Sequence, residues 1–284
     1  MLDIIADTLL DSLKLVPFLF VAFLIIEVIE HKLQDKTREI VSKSGKFGPF
    51  IGSGLGLLPQ CGFSVVATNL YVTRIISLGT LIAIYLSTSD EMLPILLSEQ
   101  ASLKLIFGVL AVKFVVGMVA GYGIDLFCRK NKRKEEPVIY DICEDEHCGC
   151  EHGHSLIKSS IIHTLKTFLF LVFVVFILNV VFEYFGEHYL SKLFLKDTFL
   201  APFLSSLIGL IPNCGASIMI TELYLNGALG FGALCAGLLT GSGVAILVLF
   251  KSNKDLKDNL KVLGLIYGIG VAVGILIEII EMIF

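Results

Sequence analysis

The chain has 284 residues, of which 55% are hydrophobic and 17% charged, and its mean hydropathy is +0.85. A soluble domain carries about 45–50% apolar residues, so this composition excludes an ordinary water-soluble globule and predicts an all-α polytopic membrane protein. A net charge of −4 leaves no basic surface for nucleic acid, and seven cysteines without a disulfide framework read as free thiols.

Long apolar stretches recur at 13–29, 75–86, 103–126, 161–182, 229–250 and 262–284. The opening "MLDIIADTLLDSLK" is acidic and lacks the basic start and cleavage site of a signal peptide, so the first stretch is expected to stay as a helix. Next comes a short phrase, "GLLPQCGFS", which begins at Gly56. It returns as "GLIPNCGAS" from Gly209, 153 residues later. Residues 49–126 slide onto 202–279 without a gap, matching Pro49, Gly56, Pro59, Cys61, Gly62, Ser64, Thr68 and Tyr71 to Pro202, Gly209, Pro212, Cys214, Gly215, Ser217, Thr221 and Tyr224. The chain therefore reads as a duplication: a first membrane repeat at 1–128, a Cys/His-rich linker at 129–157 and a second membrane repeat at 158–284.

The arms on either side of the first phrase, 47–58 and 62–73, hold 12 residues each. As helix each is about 18 Å long, roughly half of a bilayer core of about 30 Å. Pro59 stops the first arm and Gly62 permits the turn. The segment predicts a helical hairpin or a broken span with "PQCG" near the midplane, and 199–225 repeats it with "PNCG". The spans that follow carry "YLSTSDEMLP" (85–94) and "LLTGSGVAIL" (238–247), polar or glycine-rich halfway along, and read as discontinuous helices. Non-helical backbone at that depth survives only when buried in protein or lining a cavity. These four breaks mark a substrate site between the repeats. Its candidate binding residues are Gln60, Cys61, Asn69, Ser89, Asp90, Asn213, Cys214, Glu222, Thr240 and Ser242. Lys113, mid-span in "LAVKFVVG", is a candidate counter-charge or coupling group, or a structural pair.

Lys and Arg set the orientation. Lys32, Lys36, Arg38, Lys43 and Lys46 follow the first stretch, "RKNKRK" opens the linker, and Lys251, Lys254, Lys257 and Lys261 cluster near 251–261, so these three segments are expected in the cytoplasm. Residues 90–101 carry Asp90, Glu91 and Glu99 without Lys or Arg and are expected outside, as are both termini. Because 90–101 corresponds to 243–254 with the opposite charge bias, the second repeat is expected to be inverted, as in secondary transporters. In the linker, Cys143, His147, Cys148, Cys150, His152 and His154 fall within 12 residues and are candidate metal ligands, without zinc-finger spacing. The chain has no P-loop, no HExxH and no CxxC, so transport would draw on ion or proton gradients, or on none.

The pair "GLLPQCG…STSDEMLP" and "GLIPNCG…TGSGVAIL", in a duplicated chain with a Cys/His-rich linker, resembles the ten-helix heavy-metal exporter family. Its members carry the labels arsenic efflux protein and manganese transporter. The resemblance covers nearly the whole chain and implies about ten transmembrane segments, counting hairpin arms and half-helices. It also implies export of a metal or metalloid ion through the cytoplasmic membrane, with no enzymatic activity and no required cofactor beyond a transported or linker-bound metal ion. A homodimer is expected. The competing readings are a permease for organic anions or other solutes, and a membrane thiol redox or metal-sensing protein without flux.

Overall fold

The computed structural model describes residues 47–58, 61–89, 92–129 and 200–283, with single helical residues between 16 and 24 and between 161 and 176. Every described element is an α-helix. The first set is α1 (Gly48–Gly56), α2 (Cys61–Val72), α3 (Leu78–Ser87), α4 (Met92–Ser98) and α5 (Leu103–Arg129). The second is α6 (Ala201–Gly209), α7 (Cys214–Leu225), α8 (Phe231–Thr240), α9 (Ala245–Ser252) and α10 (Leu256–Ile283). Each helix of the second set starts 153 residues after its counterpart, the offset that aligns the two sequences.

Local chemistry explains the short helices. Pro49 and Pro202 sit in the first turn of α1 and α6, where the missing N–H is one the helix leaves unbonded anyway. Ser77 caps α3, its hydroxyl accepting from the Thr80 N–H at 3.1 Å. Both α2 and α7 end in one kind of turn, in which the Ile75 N–H reaches the Leu70 carbonyl and the Ala228 N–H the Leu223 carbonyl, each at 2.8 Å. The turn needs a left-handed residue. Gly227 supplies it with φ 71°, and Arg74 adopts φ 60° at the same place in the first half.

The helices of nine to twelve residues are about 14–18 Å long and stop short of a bilayer core of about 30 Å. Among the described residues, three stretches are long and apolar enough to cross: Leu103–Cys128, Leu256–Ile283, and the stacked pair α8–α9 (Phe231–Ser252). The first two bury 22% of their most apolar window and the third buries 83%. The broken pair is therefore central, while α5 and α10 turn Phe107, Val119, Leu260 and Leu276 outward, as lipid-facing helices do.

Small residues let these helices close up. α1 and α3 run parallel, with Gly52 against Thr80 and Ile84 and Gly56 against Ile84 and Ser87. α5 returns antiparallel, Gly121 against Gly79 and Gly117 against Ala83. The second half repeats this with Gly209 on Gly237, Gly274 on Gly232 and Gly270 on Ala236. Between halves the partners are exchanged: α2 packs on α9 and α7 on α4, while α3 and α8 touch each other and the opposite long helix. Accordingly one apolar core joins Val65, Tyr85 and Leu86 to Val248 and Ile266, and the other joins Met92, Leu96 and Val109 to Ile220 and Leu234.

Two carboxylates tie the α2–α3 turn to the long helices. Asp125, near the end of α5, accepts from the Ser77 hydroxyl at 2.7 Å and the Gly79 N–H at 3.0 Å. Asp258, at the start of α10, accepts from the Tyr71 hydroxyl at 2.7 Å and the Asn253 side-chain amide at 3.0 Å.

A Cβ at Gly121 would collide with the Gly79 carbonyl, Pro49 and Ala83, whereas one at Gly108 meets nothing within 4 Å. Gly121→Ala is expected to lower stability by about 1–3 kcal/mol through overpacking, and Gly108→Ala to keep or raise it. Thermal unfolding of the two variants in detergent checks this.

Candidate functional site

An apolar chain has few ways to stop a helix inside hydrocarbon, and here hydroxyls do it. At the end of α3, Ser87 donates to the Ala83 carbonyl and Thr88 to the Ile84 carbonyl, both at 2.8 Å, and Ser89 donates to the Ser87 carbonyl at 3.1 Å. At the end of α8, Thr240 donates to the Ser206 and Gly237 carbonyls, both at 2.9 Å. Such back-bonding competes with the helical ladder. Beyond Thr240 the chain passes through Gly241 and then Gly243 at φ 56° before α9 begins. These four hydroxyl residues, and Ser242, are buried.

Two helices begin beside this region with a cysteine. Cys61 is the first residue of α2 and Cys214 of α7. Asn213 precedes Cys214 as the N-cap, its side-chain oxygen accepting from the Gly215 N–H at 3.2 Å. The tip asparagine thus holds the start of α7. One and two turns into α2 and α7 lie the buried residues Ser64, Thr68, Asn69 and Thr221.

Of the other residues expected at the site, Ser89, Thr240 and Ser242 are buried at the breaks, and Asn69 is buried in α2. The Asn69 amide nitrogen and the Ser242 hydroxyl have no partner among the described residues. An orphan of this kind costs about 1–3 kcal/mol and marks a place for water or a polar ligand. Glu222, the counterpart of Asn69, is exposed on α7 and stands apart from the buried set. Gln60 and Asp90, the linker ligands Cys143, His147, Cys148, Cys150, His152 and His154, and the side chains of Cys61 and Cys214 lie outside the described residues. Among those described, no three His, Cys, Asp or Glu side chains converge.

Lys113 is 1% exposed. Its ammonium donates to the main-chain carbonyl of Leu238 at 2.6 Å, across from one half to the other. A lysine at mid-span costs roughly 2.5–3.5 kcal/mol on insertion scales, so its donor must be used. α8 stops at Thr240, and the carbonyls of its last turn lack helical partners. Lys113 fills one of those vacancies.

Tyr85 is a buried polar residue that composition and spacing did not single out. It is fully buried; its hydroxyl shares a hydrogen bond with that of Thr68 at 2.6 Å and reaches the Ala245 carbonyl at 3.3 Å. One phenol thereby ties α2, α3 and the start of α9. The signal was a lone tyrosine inside the aliphatic run before "STSD".

These features are a set of broken helices around buried polar groups in an apolar chain. A family model described as "Putative, 10TM heavy-metal exporter" matches residues 1–185 and 165–283. The chain belongs to this family of heavy-metal exporters. It is a multi-pass membrane protein of a transporter family. No curated protein and no solved structure matches the chain.

Tyr85→Phe and Thr68→Val should each cost about 1 kcal/mol, and the double variant less than the sum by about 0.5 kcal/mol or more. A double-mutant cycle on thermal unfolding in detergent measures that coupling.

Proposed function

We propose that the protein is a secondary-active transporter that exports a heavy-metal or metalloid ion from the cytoplasm. The observation that carries this reading is the pair of broken spans, α3–α4 and α8–α9, with buried hydroxyl and amide groups around their breaks and the cysteine-led helices α2 and α7 beside them. Cys61 and Cys214 offer soft ligands, while Gln60, Asn213, Asn69, Ser89, Thr240 and Ser242 offer oxygen or amide contacts. Asp90 supplies charge or carries the coupling proton. Glu222, being exposed, takes part from the mouth of the site. The linker thiols and imidazoles gather or sense cytoplasmic ion.

The second half is inverted relative to the first in this reading. Support comes from the two carboxylates at the α2–α3 turn. Asp125 lies near the C-terminus of α5 and Asp258 near the N-terminus of α10, yet both bond to the same turn region. Counterpart helices whose opposite ends share one side run in opposite directions. Gln100 and Lys254, both exposed, then lie on opposite faces of the membrane, Gln100 outside and Lys254 inside. Single cysteines placed there, Gln100→Cys and Lys254→Cys in a chain with its native cysteines replaced, should react with an impermeant maleimide from opposite sides; labelling from the same side overturns the inversion.

Transport is tested by uptake into everted membrane vesicles of Mn²⁺, Zn²⁺, Cd²⁺, arsenite and antimonite. The wild type is compared with Cys61→Ser/Cys214→Ser and with Asp90→Asn. Arsenite or Cd²⁺ uptake that falls at least tenfold without the cysteines identifies a soft-ion exporter. Mn²⁺ uptake that ignores the cysteines and needs Asp90 identifies a hard-ion exporter. Flux of none of these ions overturns the reading.

A further inference from the structure

α10 holds 28 residues and runs about 42 Å as helix, longer than a bilayer core of about 30 Å. Its apolar part starts at Val262, so the first turns, with Lys257 and Lys261, stand at the membrane surface. One face of this helix is left open by the rest of the chain. At about 100° per residue, Lys257, Lys261, Gly264 and Gly268 fall within about 60° of one another, and all four are exposed. A Cβ on Gly264 or Gly268 would meet nothing within 4 Å, and neither glycine has a positive φ. Gly270 and Gly274, turned inward, are pressed against Ala236 and Gly232. Glycine is a poorer helix former than alanine; close packing accounts for the inward pair, and nothing in the described chain accounts for the outward one. Leu265 and Tyr267, both half-buried, stand about 80° to either side and wall a shallow groove with the two open glycines as its floor. The counterpart helix α5 lacks this face, since Lys261, Gly264 and Gly268 correspond there to Gly108, Ala111 and Val115.

We propose that this face of α10 binds one anionic phospholipid, its phosphate at Lys257 and Lys261 and an acyl chain along the groove over Gly264 and Gly268. Side chains on a helix lean toward its N-terminus, here the watery end, so both ammonium groups reach the headgroup layer. The groove begins about 4–5 Å further along the axis, under the surface. Anion at the surface and hydrocarbon beneath is the order of parts in a phospholipid. The nearest acids in sequence are occupied: Asp255 accepts from the Lys257 and Asp258 N–H groups, and Asp258 from the Tyr71 hydroxyl and the Asn253 amide. Lys251 and Lys254 add positive potential at the same end. A second copy of α10 fits this face less well, because two-fold pairing through Gly264 and Gly268 would bring Lys261 of one copy against Lys261 of the other. Asp258 lies between the two lysines in sequence and ties α10 to α2 through Tyr71, so bound lipid braces a turn that joins the halves. The site needs only the membrane setting and holds whether or not the chain moves an ion.

The full chain is purified in detergent and titrated with phosphatidylglycerol or with phosphatidylcholine of the same acyl chains, and bound lipids are counted by native mass spectrometry. Wild type should take one phosphatidylglycerol about thirtyfold more tightly than phosphatidylcholine, as two lysines facing an anionic headgroup give, and the preference should shrink as salt rises. Lys257→Gln/Lys261→Gln should bring the two lipids within about threefold of each other. Gly264→Leu/Gly268→Leu, whose added side chains start in open space, should weaken phosphatidylglycerol about tenfold by filling the groove. Where the leucines yield no folded protein, Gly264→Ala/Gly268→Ala takes their place with a smaller loss. Lys104→Gln, at the exposed counterpart of Lys257 on α5, should change nothing. A preference that survives loss of the lysine pair, a loss that Lys104→Gln reproduces, or binding indifferent to a filled groove overturns the proposal. So does glycerol phosphate that competes as well as the lipid, which makes this a free-anion site, or a dimer mass that disappears with the leucines, which makes the face a seam between copies. Phosphatidylglycerol binding as expected in a chain that moves none of the tested ions sinks the transport reading and leaves the lipid site standing.

Discussion

The structure depends on one constraint: a helix that stops inside hydrocarbon must find partners for the backbone groups it abandons. Each unsatisfied group costs several kcal/mol in lipid, on the order of a whole domain's margin of stability. The breaks after Ser87 and Thr240 are therefore held at the centre of the molecule, where hydroxyls of Ser87, Thr88, Ser89 and Thr240 and the ammonium of Lys113 supply bonds. The long helices α5 and α10 shield this centre and meet the apolar surroundings with their own large side chains.

Close packing follows from the same need. Breaks can be sealed only if neighbouring backbones approach, and the Gly79–Gly121 and Gly232–Gly274 contacts allow this at the two outer seams. Exchange of partners does the rest. α9 covers α2 and α4 covers α7, so each apolar core is built from both halves.

The duplication is accurate in geometry and loose in chemistry. Helix starts keep the 153-residue offset throughout. The polar side chains do not. Asn69 is buried where Glu222 is exposed, Lys113 answers to Ile266, and the acids Asp90 and Glu91 answer to Gly243 and Val244. A symmetrical frame thus carries an unsymmetrical set of polar residues. Positions that shape the backbone kept their identity, as Gly56 and Gly209 or Pro49 and Pro202 show, because each meets the same neighbour in its own half.

The sequence by itself determined the membrane class, the repeat, the short hairpin arms and the broken spans, since these follow from apolar length, Pro and Gly placement and self-similarity, all local properties of the chain. It also named Ser89, Thr240, Ser242 and Asn69, all of which are buried. Only the tertiary structure decided which groups face one another. That Lys113 reaches a carbonyl 125 positions away, that Tyr85 ties α2 to α9, and that Glu222 turns outward depend on how the halves exchange helices. Arg74 shows the same limit locally: a glycine stands at the matching turn in the second half, whereas the arginine is held in the left-handed region by the bonds around it. Spacing along a chain says which face of a helix a side chain occupies; what covers that face is settled by packing.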